Sequence, residues 1–301
     1  MAIRRLAAAA TAALSLTLLS SCGSSASSPP ATNTTGTTAA PHTMSPGDHV
    51  VSITVDGRAR SFIVHVPPSP PIANRPLILV FHGAEDSDQS TAKGTDFESV
   101  ADQFGEVVAF LQGYDDTWNE GAGHTPAEQA HVDDVAFTAA VIAKIEALVS
   151  FDHSRIVASG FSNGALMVED LGCRLAPELS LIVPIEGELP ASVSATCSPL
   201  HPISVYEIHA TADAVIPYGG GPFDGVGGGT TVLSAPSSVA RWAALDHCSP
   251  TATVSSRTNG ITLTGYAKCD GNATVTLRTI EGGSHQWGAS IGLLVTEALT
   301  R

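Results

Sequence analysis

Basic residues are scarce in this chain. Lys and Arg together number 14 against 29 Asp and Glu, for a formal net charge of −15, and no Lys/Arg cluster offsets it. Such a surface offers nothing to a phosphate backbone, which argues against a nucleic-acid partner. No C-x-x-C pair is present, so the spacing of a structural zinc site is missing too. The apolar run from Leu6 to Leu19 is too short for a standard membrane span. There is no internal repeat.

That apolar run has another reading. Arg4 and Arg5 precede it as a basic n-region, and Leu19-Ser20-Ser21-Cys22 closes it. This is the layout of an export signal, and its end resembles the bacterial lipobox, in which Cys22 becomes the first mature residue and carries a lipid. The expectation is a signal peptide over 1–21 and attachment to the bacterial membrane through Cys22, with plain secretion as the alternative. From Cys22 to Pro46 the chain is mostly Ser, Thr, Ala, Pro and Gly, with little to bury, and reads as a disordered tether.

Residues 47–301 form the folded part. Of the 301 residues, 43% are hydrophobic, enough for one sizeable core. Val50–Val55 and Arg60–Val66 alternate around the Asp56-Gly57 turn and read as a hairpin. Leu77–Phe81 and Val107–Leu111 are continuous apolar runs suited to strands buried on both faces, Leu181–Ile185 and Ile203–His209 are further short apolar runs, and Arg155–Ser159 and Val275–Ile280 also read as strands. Ser90–Gly105, Val132–Val149, Ser237–Leu245 and Ile291–Leu299 read as helices. Strands alternating with helices predict an α/β fold, a doubly wound and mostly parallel sheet in a single domain without a large lid, with ligands at the strand C-termini.

The stretch around Ser162 organises the rest. Gly160-Phe161-Ser162-Asn163-Gly164 lies between an apolar run and helix-forming residues, the strand–turn–helix context of a nucleophile elbow. Ser162 at the tip needs a strained backbone, and side chains two residues to either side would collide, so both positions are glycine. A serine hydroxyl needs a base. Asp213 follows one apolar run and His285 another, so the order is Ser162, Asp213, His285, that of α/β-hydrolases. His285 would take the Ser162 proton, and Asp213 would fix the imidazole tautomer. The backbone N–H groups of Ala84, after the Leu77–Phe81 run, and Asn163 would hold the oxyanion. His82, Trp118 and Trp287 are candidate pocket-lining, substrate-binding residues. His131, Asp133 and Asp134 raise a metal site as an alternative, but acids at a helix N-terminus explain the pattern better, and no metal or other cofactor is expected. Four cysteines remain after Cys22, and an even number in an exported chain suggests two disulfides. Three pairings exist, and Cys173–Cys197 with Cys248–Cys269 close the smallest loops.

With these residues in view, the chain resembles the polyhydroxybutyrate depolymerase and feruloyl esterase group of secreted α/β-hydrolases. The matching pieces are Val80-Phe81-His82-Gly83, Trp118-Asn119, His131 to Val135, Gly160 to Ala165, His209 to Asp213 through Pro217-Tyr218, Trp242 through Cys248, and Gly282 to Trp287, in order from about Val50 to Gly288. The resemblance implies a cofactor-free serine esterase acting on short or medium acyl esters or soluble oligoesters, and it supports the two local disulfides. Departures are visible. Ala84-Glu85-Asp86-Ser87-Asp88 is acidic where the family has small residues, which disfavours anionic substrates. Gly219–Thr230 is glycine-rich and could reshape the pocket, and the last helix lacks aromatics. Two other functions fit the same fold: a surface binding lipoprotein without turnover, which a serine-directed probe would separate, and a serine peptidase, which amide against ester turnover would separate.

Overall fold

The computed structural model describes residues 44–68, 74–122 and 124–300. The signal peptide, Cys22 and the tether up to residue 43 lie outside the described residues.

Twelve strands are present among the described residues: β1 (Gly47–Val55), β2 (Arg58–Val66), β3 (Leu77–Phe81), β4 (Val107–Leu111), β5 (Ile156–Phe161), β6 (Leu181–Ile185), β7 (Ser204–Ala210), β8 (Gly221–Gly225), β9 (Gly228–Val232), β10 (Thr253–Thr258), β11 (Ile261–Tyr266) and β12 (Val275–Ile280). Eight helices accompany them: α1 (Asp88–Gly94), α2 (Phe97–Phe104), α3 (Pro126–Gln129), α4 (Asp134–Glu146), α5 (Asn163–Arg174), α6 (Ala191–Thr196), α7 (Ala235–Leu245) and α8 (Ile291–Ala298). Ten strands form one sheet in the order β1-β2-β4-β3-β5-β6-β7-β12-β11-β10, and β8-β9 is a separate hairpin. The strands from β4 to β12 in that order run parallel, with antiparallel strands at both edges.

The central strands β3, β4 and β6 are apolar at every position because each face carries helices, whereas β5, β7 and β12 also hold polar residues. In β3, Leu77, Leu79 and Phe81 join one core with α4, α5 and α7, while Ile78 and Val80 join the opposite core with α1, α2 and α8. The strand period of two thus sorts one run of five residues between two cores. Each such fully buried Leu, Ile or Phe contributes roughly 1.5–3 kcal/mol.

Three sequence readings change. The expected helix over Ser90–Gly105 is two helices, broken at Thr95 and Asp96. Asp96 turns its carboxylate to α8, accepting from the Gly292 N–H at 2.7 Å, which a continuous helix would prevent. The stretch from Tyr114 to Gln129, which carries no strand or helix pattern in the sequence, contains α3, closed by a Thr125–Glu128 capping box. The glycine-rich stretch after Tyr218 forms the hairpin β8-β9. Both disulfides, Cys173–Cys197 and Cys248–Cys269, are present as expected.

Candidate active site

Ser162 sits between β5 and α5 with φ 55° and ψ −121°, a conformation few non-glycine residues adopt. The neighbouring chain holds it there. The Ser162 N–H donates to the Ile185 carbonyl at 3.0 Å, and the Ser162 carbonyl accepts from the N–H groups of Ala165 and Leu166. The two glycines behave as the sequence implies. A Cβ on Gly160 would overlap the Gly164 carbonyl, and one on Gly164 would overlap the carbonyl oxygens of Phe81 and His82. The elbow and the end of β3 are therefore in backbone contact.

Asp213 follows β7 and His285 follows β12, which are neighbours in the sheet. His285 Nδ1 lies 2.7 Å from Asp213 Oδ2. Asp213 Oδ1 accepts from the Val215 and Ile216 N–H groups at 2.7 and 3.0 Å, so its carboxylate is fixed at both oxygens. Burial opposes the Asp213 charge, but hydrogen bonds from His209, His285 and the Val215 N–H outweigh it and hold the group below the usual carboxylate range. Ser162 and His285 line one cavity of about 320 Å³, as do Ala84, Asn163 and Trp287. Asn163 is the first residue of α5, where a helix leaves its N–H groups unpaired. The Trp287 ring stacks on Phe161 at 5.1 Å between centroids, and Phe161 in turn lies 4.7 Å from the His285 ring.

Two expected pocket residues are elsewhere. His82 and Trp118 are fully buried and do not line this cavity, a correction to the sequence reading. His82 donates through Nδ1 to the Gly83 carbonyl at 2.7 Å and accepts at Nε2 from the Gly113 N–H at 2.9 Å. That pair fixes the neutral tautomer, and burial lowers its pKa further. Trp118 donates through Nε1 to the His82 carbonyl at 2.8 Å and through its backbone N–H to Asn163 Oδ1 at 2.9 Å. Both residues thus brace the junction of β3, the elbow and the intervening loop. They were misassigned because a loop tryptophan near a site looks the same in sequence whether it faces a cavity or a core.

The acids near α4 also have structural partners. Asp133 caps the helix by accepting from the Ala136 N–H, while Asp134 pairs with Arg60 at 2.7 Å and accepts from the Asn119 N–H at 2.8 Å. The Asn119 side chain donates to the Val132 carbonyl. The Trp118-Asn119 and His131–Val135 pieces therefore lock to each other and set the position of the next residue, Glu120.

Sequence reasoning missed several groups. Glu120 lines the cavity although it is only 3% exposed. Hairpin β8-β9, from the glycine-rich stretch expected to shape the pocket, supplies a wall through Phe223, Asp224, Gly225, Gly228 and Thr230, of which the individual side chains were not singled out. Behind Asp213, His209 lies within 3.5 Å of Glu186, 3.1 Å of Glu188 and 3.4 Å of Asp213. Glu207 and Glu169 are buried nearby. A signal existed for two of these: Glu207 and His209 are polar residues at alternate positions inside an apolar strand run, hence on one face.

The comparisons with known proteins agree with this architecture. No protein-family model matches the chain. It is 31% identical over 220 residues to feruloyl esterase B of Piromyces equi, covering 71% of this chain and 40% of that protein. It is 29% identical over 170 residues to NocK of Nocardia uniformis subsp. tsuyamanensis, named as an esterase, covering 56% of this chain and 49% of that protein. The chain thus spans less than half the length of either relative. Among solved structures, acetyl xylan esterase from Aspergillus awamori superposes with a TM-score of 0.60 at 10% identity, over 84% of this chain and 99% of that one. At that identity the likeness speaks for the fold alone, the α/β-hydrolase fold.

Proposed function

We propose that this chain, a feruloyl esterase-like α/β-hydrolase, hydrolyses carboxylic esters through an acyl-serine intermediate. The observation that carries the reading is a serine on a strained strand–helix turn sharing a cavity with a histidine whose other ring nitrogen is held by a buried carboxylate. Ser162 Oγ attacks the ester carbonyl as His285 Nε2 takes its proton. The N–H groups of Ala84 and Asn163 receive the developing oxyanion, and the dipole of α5 adds to them. His285 then protonates the departing alcohol. Water, deprotonated by the same imidazole, releases the acid and restores the serine. Asp213 keeps the Nδ1–H tautomer and stabilises the imidazolium.

The cavity favours uncharged esters. Its wall includes Glu85, Asp86 and Asp224 and neither lysine nor arginine. Purified chain should hydrolyse p-nitrophenyl acetate and butyrate and react with a fluorophosphonate. An ester whose acyl chain ends in a carboxylate, p-nitrophenyl hemisuccinate, should be turned over about tenfold less efficiently, with the gap narrowing in 0.5 M salt. Folded protein that neither turns over any ester nor labels with the fluorophosphonate would overturn the esterase reading. Equal turnover of neutral and anionic esters would overturn the charge argument.

We also infer export with a lipid on Cys22 and a tether to the folded part, a reading that rests on the basic pair, the apolar run and the Leu19–Cys22 sequence. Replacing Cys22 by Ala in the full chain should move it from the membrane to the soluble fraction. Unchanged partition would reject the lipid.

A further inference from the structure

Glu120 is an unusual wall for a cavity that is otherwise well accounted for. It is 3% exposed, and its Oε2 has no hydrogen-bond partner among the described residues. The carboxyl accepts from its own backbone N–H and from the side chain of Asn163, whose Oδ1 accepts from the Trp118 N–H. Among the described residues, no lysine or arginine lines the cavity to pair with it. A buried carboxyl oxygen left without a partner is a standing cost to the fold unless something else relieves it. Glu120 is nevertheless held in place: Asn119 beside it is tied to Asp134 and Val132, and Thr125 beyond it donates to the Trp118 carbonyl. The loop thus holds Glu120 in the cavity wall, in contact with Asn163, the first residue of α5.

The character of the group narrows what it could bind. Burial, reinforced by the charge of Glu128, raises its pKa to about 8, against the opposing hydrogen bond from Asn163. At pH 7 the group is a neutral acid, with one O–H to donate and an oxygen to accept. A cationic ligand gains little from such a group. A hydroxyl matches it, because a hydroxyl can both receive and return a hydrogen bond.

We propose that Glu120 is a specificity-determining residue that hydrogen-bonds a hydroxyl group of the ester substrate, carried on either the acyl or the alcohol portion. This rests on the esterase reading and extends it from ester to hydroxylated ester. A site built to pair a hydroxyl discriminates strongly against the analogue without it, since the buried partner is then left unsatisfied. Glu120 touches Asn163 as well, so a purely positioning role is the competing account, and it predicts a different pattern.

The test compares kcat/KM by pH-stat for two matched pairs: methyl lactate against methyl propionate, with the hydroxyl on the acyl part, and glycerol monobutyrate against propyl butyrate, with it on the alcohol. Wild-type chain should prefer the hydroxylated member of at least one pair by roughly tenfold or more. Glu120→Leu should bring that ratio close to one. Glu120→Gln, also a neutral donor and acceptor, should keep most of it. Three results would overturn the proposal: no hydroxyl preference in either pair, a preference that survives in Glu120→Leu, or equal loss on both members of each pair, which would assign Glu120 to holding Asn163. If wild type turns over none of the four esters and ignores a fluorophosphonate, the esterase reading itself falls and takes this proposal with it.

Discussion

Ser162→Ala is expected to lower kcat/KM for every ester the chain hydrolyses by at least about 10⁴-fold, with thermal stability nearly unchanged. The stability half follows from the backbone. Ser162 holds φ 55° because its N–H and carbonyl are bonded to Ile185, Ala165 and Leu166, none of which involves the side chain. Alanine meets the same strain and keeps the same bonds. Retained turnover in a folded Ser162→Ala protein would remove the serine mechanism outright.

Asp213→Asn should cost roughly 10³–10⁴-fold, for a reason visible in its hydrogen bonds. Oδ1 accepts two backbone N–H groups, from Val215 and Ile216, so the amide oxygen of an asparagine must take that side. Its NH₂ then faces His285 Nδ1, where Oδ2 now sits at 2.7 Å. The imidazole would accept there and carry its proton on Nε2, the nitrogen that has to receive the Ser162 proton. Activity should recover partly at high pH, where hydroxide can replace the missing base. A variant with activity within tenfold of wild type would show that Asp213 does not set the tautomer.

How much of this was readable beforehand depended on what each segment buries. The bounds of β3, β4 and β6 are legible residue for residue because a strand covered on both faces must be apolar throughout, while β12, VTLRTI, is legible by its alternation of buried and half-buried positions. β10 is exposed at all six positions, so its sequence carries no apolar pattern, and only its pairing with β11 makes it a strand. The hairpin β8-β9 was hidden by its glycines, which weaken strand propensity, although they were recognised as bordering the pocket. Ser162, Asp213 and His285 were legible because each follows its own strand and the parallel sheet gathers strand ends on one side. Glu120 was not legible. Its environment comes from α3 and α5, and no local pattern marks a carboxyl as buried.

The same blindness applies to the acids behind Asp213, and they carry the second large expectation: folding stability should be greatest near pH 5 and fall by at least about 2 kcal/mol toward pH 8. Burial raises Glu169 and Glu186 to about 8 and Glu188 to about 10, and it drives Glu207 upward as well. In the unfolded chain these groups ionise near 4.5. Between that value and the folded one, the native state keeps a proton that the unfolded state has released, so raising the pH favours unfolding by up to about 1.4 kcal/mol per unit for each group. Asp213 acts in the opposite sense. Its folded pKa is lowered, so the stability it contributes is present above the unfolded value and lost as acid protonates it. The two effects meet at mildly acidic pH. Glu207 isolates the first of them, because it is fully buried and lies outside the cavity wall. Glu207→Gln removes one titrating group and preserves shape, so denaturant unfolding at pH 5, 6, 7 and 8 should give a curve that declines less steeply than wild type and crosses above it toward pH 8. Stability that stays flat or rises from pH 5 to 8 would mean that these carboxyls are ionised in the folded protein.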